Sequence, residues 1–372
     1  MKENDKPIVI GCYIGKYLGG GVESVMMNYY RNIDKSKVQF DFICDSDSTN
    51  IPYKEIEGMG GRVILVPPYQ SLFKFQKEFA QIRRKNNYKI LHSNVNALSV
   101  FPLRAAKKAG VPVRIAHSHS TSNKKEWKKT LIKNILRPFS KKYATDYFCC
   151  SELAGRWLFG DKEYNKGNVY IVNNAIDVEK FKYNEEIRKK VRAELNIDDS
   201  TLVIGNVGRF MPQKNHDYLL DIYKEIYEEN KDSILLLVGQ GPLVDNIKQK
   251  AVNLGIDKNV RFLGQRDDVN ELYQAFDAFV FPSLYEGLGM VLIEAQCSGS
   301  YCLASTEVPK IAKVTDLLDF LDLSVNPKEW SKKVLESVNK GERKEQSDKL
   351  LKSGYEIKNE AKKLEEKYLS YY

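Results

Sequence analysis

The chain has 372 residues, more than one ordinary hydrophobic core accommodates, which predicts two domains. With 42% hydrophobic and 29% charged residues it reads as a globular protein in water, and no run nears the roughly 18 apolar residues of a membrane span. The net charge of +9 asks for an anionic partner, either phosphate or a membrane surface; with no zinc-finger spacing and no aromatic-rich RNA motif, no nucleic acid is expected.

Met1 to Lys6 lacks the apolar core of a signal peptide. Six cysteines (Cys12, Cys44, Cys149, Cys150, Cys297, Cys302) fall mostly in apolar runs without a Cys-x-x-Cys pair. Reduced, buried thiols in a cytoplasmic protein are the simplest reading.

Taken in order, Pro7–Gly15 reads as a strand, Lys16–Gly21 as a loop and Val22–Ile33 as a helix. Further strands are predicted at Gln39–Cys44, Arg62–Val66, Lys89–His92, Val111–Ala116, Asp146–Cys150 and Asn168–Val172, with helices at Ser71–Arg84 and Phe101–Ala109. The charged stretch Glu179–Glu194 separates this series from a second one. Its strands are Leu202–Val207, Ile234–Val238, Val260–Leu263, Phe279–Phe281 and Tyr301–Ala304; its helices are His216–Glu229, Leu243–Asn253 and Val269–Phe276. Asn215 stands as an N-cap before the first of these. Two α/β series of this kind predict two doubly wound parallel sheets, with ligands at the carboxyl ends of strands. The Lys- and Glu-rich end, Glu342–Tyr372, reads as exposed helix.

Several clusters carry chemistry. Gly19-Gly20-Gly21 follows the first strand and precedes the first helix as a phosphate-cradling turn would, with a merely tight, flexible turn as the alternative; no GxGxxG or GxxxxGK[ST] motif occurs, which disfavours a nicotinamide or ATP enzyme. His117 and His119 fall on one face at a strand end and, with His92, raise a weak metal reading; a hydrogen bond to a substrate hydroxyl suits them better. His216 reads as structural. Asp45-Ser46-Asp47 resembles a metal-binding Asp-x-Asp but reads as a solvated loop. Between Lys124 and Lys142 eight basic residues interleave with Trp127, Leu131, Ile135 and Phe139 at helical spacing, interrupted by Pro138. That pattern fits an anionic membrane surface, and equally a solvated helix face.

Arg209 and Lys214 stand past a strand end, placed to neutralise a diphosphate, with a solvated loop cation as the alternative for each. The stretch Phe281–Gly299 then offers a strand ending at Pro282, a loop with Glu286, glycines 287 and 289, and an apolar helix Met290–Cys297 carrying Glu294. A glycine-opened helix end suits phosphate, and carboxylates suit vicinal hydroxyls. A loop Glu that caps the helix and a Glu294 that reaches solvent form the structural alternative.

These residues together resemble the retaining GT-B glycosyltransferases of family 4, of the capsular and exopolysaccharide type. The resemblance covers most of the chain and rests on Gly20-Gly21-Val22-Glu23, Ala116–His119, Asn173–Asp177, Gly208-Arg209 with Lys214-Asn215, Val238–Pro242, Phe262–Gly264 and the Glu-x7-Glu of Glu286 and Glu294. It implies an N-terminal acceptor-side Rossmann-like domain (1–176), a C-terminal nucleotide-sugar domain (177–354) facing it across a cleft, and a final helix (355–372) crossing back. It implies catalysis without a metal or other cofactor. Arg209, Lys214 and the amides of Leu288, Gly289, Met290 and Val291 would hold the diphosphate, Glu286 the donor sugar, Glu294 the ribose and Gln265 the base. Gly20 and Gly21 would approach the phosphates, and His119 the donor sugar. The expected reaction is retaining transfer from a nucleotide diphosphate sugar, a UDP-sugar, to a lipid-linked saccharide, in the cytoplasm at the inner membrane face. A nucleotide-sugar epimerase or hydrolase and a non-catalytic sugar-nucleotide-binding subunit are the alternatives. The chain departs from the family pattern at Ser305–Pro309.

Overall fold

The computed structural model describes residues 6–18, 20–120, 127–338, 343 and 345–372, with the backbone alone for 127–133. The chain divides into two units, Met1–Ala175 with Glu356–Tyr372, and Ile176–Tyr355.

The first unit holds strands β1 (Ile8–Gly15), β2 (Val38–Asp45), β3 (Arg62–Val66), β4 (Ile90–Ser93), β5 (Val113–Ser118), β6 (Asp146–Cys149) and β7 (Val169–Ile171). They form one parallel sheet ordered β3-β2-β1-β4-β5-β6-β7. The second unit holds β8 (Leu202–Val207), β9 (Ser233–Val238), β10 (Val260–Gly264), β11 (Ala278–Phe281), β12 (Tyr301–Ser305) and β13 (Leu318–Leu321), ordered β10-β9-β8-β11-β12-β13, again parallel. Strands covered by helices on both faces must be apolar throughout, and β9 (Ser-Ile-Leu-Leu-Leu-Val) is buried at every position.

In both sheets the strand order reverses beside the first strand, between β1 and β4 and between β8 and β11. Loops leaving the carboxyl ends of those two strands diverge to opposite faces and open a crevice. This topology brings the loop after β8, with Arg209 and Lys214, beside the loop after β11, with Glu286.

Every predicted strand forms. Strand β13 escaped the sequence reading, because a four-residue edge strand interrupted by Asp319 has neither length nor a pure apolar run. The helix Pro327–Val338 was missed as well, although it buries Trp330 completely, edge-on to Tyr218 with ring centroids 6.0 Å apart. The charged stretch before β8 is more than a separator. Its helix Glu185–Glu194 buries Arg192, and Arg188 and Arg192 grip the two carboxylate oxygens of Asp277 at 2.5 and 2.7 Å.

The exposed-helix reading of the chain's end is also corrected. The helix Ile357–Leu369 has Ile357, Ala361, Leu364 and Tyr368 on one buried stripe at 4-3-4 spacing, packed in the core of the first unit with Tyr29 and Phe40. Abundant flanking Lys and Glu hide that stripe in the composition.

Candidate active site

Construction of the second unit's site starts with the end of β8. Gly239, with φ +137°, lies so close to Gly208 that a Cβ there would come within 2.1 Å of the Gly208 carbonyl oxygen. A side chain at Gly241 would likewise strike Phe210 O at 2.5 Å. The two loops are therefore laid directly on each other, and Phe210 N–H donates to Gln240 O at 3.0 Å. This fixes the exit of Arg209. The guanidinium is exposed and has no hydrogen bond or ion pair among the described residues.

A short 3-10 turn, Pro212–Lys214, follows. Asn215 takes the left-handed conformation (φ 54°) before the helix His216–Glu229, but its side chain does not cap that helix. Its Nδ2 donates instead to Pro282 O at 3.1 Å, and Gln213 O accepts from Leu284 N–H at 2.8 Å, so the turn is tied to the loop after β11. The N-cap expectation thus holds in position and fails in mechanism.

Across these ties lies Glu286. Its Oε1 accepts from Lys214 Nζ at 2.7 Å and its Oε2 from Gln213 Nε2 at 3.2 Å, while Gln213 Nε2 also reaches Tyr285 O at 3.0 Å. The carboxylate is 8% exposed and the Lys214 side chain 16%. Phe281 lies beneath the ammonium, 4.6 Å from ring centroid to Nζ. Lys214 and Glu286, read separately from sequence as a phosphate holder and a sugar holder, form one ion pair; Gln213 was not foreseen at all. A separation of 72 residues gives no local signal.

Beyond Glu286, Leu288 is buried and Gly289 turns the chain with φ +85° into the helix Met290–Cys297. No side chain caps that helix, so its first-turn amides and positive dipole end remain available to an anion. The segment Ser305–Pro309 supports this turn: Val308 Cγ1 lies 3.5 Å from where a Gly289 Cβ would stand, and Ser305 Oγ donates to Ser283 O at 2.5 Å. Glu294, deeper in the helix, accepts at Oε2 from Tyr273 Oη at 2.8 Å. Burial raises its pKa, partly offset by Tyr273 and Lys180. Tyr273 is the partner that makes a carboxylate tolerable in so apolar a helix, and sequence reasoning missed it. Gln265 is exposed just past β10. His216, as expected, is structural: it is buried with its ring stacked on Phe210 at 4.2 Å.

In the first unit Gly20 precedes the helix Gly21–Asn32. The Glu23 carboxylate folds back, with Oε1 accepting from Leu18 N–H at 3.1 Å, and Oε2 would stand 3.0 Å from a Gly20 Cβ. Gly21 faces open space; Gly19 lies outside the described residues. His119 is buried, its Nε2 against Asn94 Oδ1 at 3.0 Å and its backbone N–H donating to Asn96 Oδ1 at 2.6 Å. His117 and His119 share one strand face, with rings 3.8 Å apart.

Asp45-Ser46-Asp47 is a solvated turn at Ser46 and Asp47, as expected, but not at Asp45. Asp45 ends β2, is buried and accepts from Tyr13 Oη at 2.9 Å; Asp47 pairs with Lys16 at 2.6 Å. All six cysteines are buried free thiols.

The basic segment is partly outside the described residues, which exclude Lys124, Lys125 and Glu126 and the side chains of 127–133. The helix Trp127–Tyr143 does form, and Pro138 lies inside it. Ile135 (59%) and Phe139 (46%) are exposed beside Arg137, Lys141 and Lys142. A surface pocket of about 570 Å³ is lined by Asn134, Arg137, Lys141, Trp157 and Leu158.

Comparison with known proteins decides the class. The family model for glycosyl transferases group 1 matches residues 187–356, and that for Glycosyltransferase Family 4 matches residues 19–180. The putative glycosyltransferase EpsF of Bacillus subtilis (strain 168) is 35% identical over 345 residues, covering 91% of this chain and 90% of that protein. The chain belongs to the GT-B glycosyltransferases of family 4. A UDP-Gal:alpha-D-GlcNAc-diphosphoundecaprenol alpha-1,3-galactosyltransferase of Escherichia coli is 25% identical over 320 residues, covering 82% of the chain and 81% of that enzyme. Among solved structures, Anabaena Alr3699/HepE in complex with UDP shares the fold of this glycosyltransferase with a TM-score of 0.77 at 16% identity, over 98% of this chain and 100% of that one.

Proposed function

We propose that this glycosyltransferase moves a sugar from a UDP-sugar to a lipid-linked saccharide with retention at the anomeric carbon, and that it works without a metal at the cytoplasmic face of a membrane. The observation that carries the reading is the junction of Arg209, the Lys214–Glu286 pair and the uncapped helix end at Gly289. Arg209, the paired Lys214 and an uncapped helix end stand on two loops tied to each other, an arrangement that suits a departing nucleoside diphosphate. Its charge grows in the transition state, so fixed positive groups at that point accelerate transfer. The UDP and the diphosphoundecaprenol in the names of the relatives support the donor and the acceptor class.

In this reading Glu286, oriented by Lys214 and Gln213, takes hydroxyls of the sugar, and Glu294 takes the ribose diol through Oε1, its Oε2 being engaged by Tyr273. Leu288 to Val291 present amides to the phosphates, and Gln265 borders the base. Gly20 and Gly21 give close main-chain approach on the first unit, and His119 contacts the donor sugar. The test is transfer of labelled sugar from a panel of UDP-, GDP- and ADP-sugars into organic-extractable lipid, followed by assignment of the product anomer. Label in lipid from a UDP-sugar with the donor's own anomeric configuration is expected. Inversion, or release of free sugar alone, contradicts the reading.

Membrane attachment is proposed through the helix Trp127–Tyr143, whose exposed Ile135 and Phe139 lie beside Arg137, Lys141 and Lys142. Exposed charge near an anionic surface contributes about 1 kcal/mol per basic residue and is screened by salt. Flotation should therefore be strong with anionic vesicles and fall steeply in high salt and in Arg137→Glu/Lys141→Glu. Binding indifferent to lipid charge removes the role of this helix.

A further inference from the structure

A chain of buried side chains runs from the C-terminal helix to the strand carrying His119. Tyr368 Oη lies 2.5 Å from His92 Nδ1, and His92 Nε2 lies 2.9 Å from His117 Nδ1. Tyr368, His92 and His117 are all fully buried, and both ends of the chain belong to the first unit. Two nitrogens beside it have no partner among the described residues: His117 Nε2 and His119 Nδ1. An unsatisfied buried polar atom is costly, so two on adjacent rings need a reason.

Tyr368 Oη has one partner among the described residues, His92 Nδ1. Were it to accept there, its own proton would be buried without an acceptor. Tyr368 therefore donates, His92 Nδ1 is the lone-pair nitrogen, and His92 carries its proton on Nε2. That proton is given to His117 Nδ1, so His117 carries its own on Nε2, where nothing receives it. His119 is set independently. Asn94 Nδ2 faces the carbonyls of Tyr13 and His92, which identifies it as the amide nitrogen; Oδ1 then accepts from His119 Nε2–H and leaves Nδ1 as a free acceptor. Burial pushes the pKa of both His92 and His119 down to about 3 and that of His117 well down too, so all three rings are neutral and each has one fixed tautomer.

We propose that Tyr368 is a positioning residue that acts through His92 to make His117 a hydrogen-bond donor, forming with the acceptor His119 a matched pair for a single hydroxyl group. A hydroxyl donates to His119 Nδ1 and accepts from His117 Nε2–H; the two rings are neighbours, with centroids 3.8 Å apart, and each offers its one unpartnered nitrogen. A phosphate or carboxylate oxygen has no proton for His119, and no cationic ring compensates its charge. The pair is thus built for a neutral alcohol. That this alcohol belongs to a sugar rests on the transfer reading above; the tautomers do not.

The test is long-range ¹H–¹⁵N correlation of the histidine rings in the full chain, assigned with His117→Gln, with and without ligand. Without ligand, His117 and His119 should both be Nε2–H. In Tyr368→Phe, which removes only the hydroxyl, His117 should lose its single tautomer while His119 keeps it. The KM for donor should rise several-fold. Wild-type His117 found as Nδ1–H, or unchanged in Tyr368→Phe, overturns the proposal, and the wild-type spectrum decides even if the variant folds poorly. Added UDP-sugar should shift His119 Nδ1 and His117 Nε2–H, whereas UDP should not. A sugar nucleotide that binds and moves neither overturns the hydroxyl assignment. Failure of every sugar nucleotide to bind, with the tautomers as derived, faults the transfer reading instead.

Discussion

Arg209→Ala should lower kcat/KM for sugar transfer by about 10²–10³, the loss on removing one preorganised group from a developing negative charge. The same substitution should leave stability within about 0.5 kcal/mol of wild type, because surface positions away from packed features rarely matter more. The basis for this contrast is local. Arg209 is held in place by its backbone, through the Gly239 and Gly241 loop laid on residues 208–210, and its guanidinium has no partner among the described residues. A charge that stabilises nothing in the folded chain is free for a ligand. Steady-state transfer and a thermal melt on one preparation check both halves. A large fall in melting temperature shows that Arg209 supports the fold instead.

Glu286→Gln should combine a comparable loss of transfer, about 10²-fold or more, with measurable destabilisation. The carboxylate joins Lys214 and Gln213 in a nearly buried cluster, so its neutralisation leaves the ammonium without its counter-charge. Loss of one partner of such a group costs about 1–3 kcal/mol. Unlike Arg209→Ala, this variant should melt lower. Lys214→Met, which removes the stranded cation too, should recover part of the stability when combined with Glu286→Gln but none of the activity. Full activity in Glu286→Gln excludes the carboxylate from the donor site.

The strands and their functional ends were legible because a strand covered on both faces must be an apolar run, and such runs stop at Gly208 or Pro282. Arg209 and Glu286 could be picked out as charges past those stops, and Glu294 as a lone charge in the apolar helix that follows. What could not be read were the partners. Lys214 finds Glu286 across 72 residues, Tyr273 finds Glu294 through an inter-helix packing, and Tyr368 meets His92 across 276. Periodicity carries no record of such pairings. The C-terminal helix shows the same limit: its buried stripe of Ile357, Ala361, Leu364 and Tyr368 lies among so many Lys and Glu that composition suggests exposure. The dipeptide-like cues failed in the opposite way. Asp45 and Asn215 have the residue types of a solvated loop and a cap, yet Tyr13 and Pro282 claim their side chains.

The most direct measurement is calorimetric binding of UDP, UMP and uridine to the wild-type chain and to Arg209→Ala. A donor site built on Arg209, Lys214 and the Gly289 helix end predicts that UDP binds at least tenfold tighter than UMP, and that Arg209→Ala removes most of that difference. Equal affinity for UDP and uridine, or an unchanged UDP preference in Arg209→Ala, would contradict it.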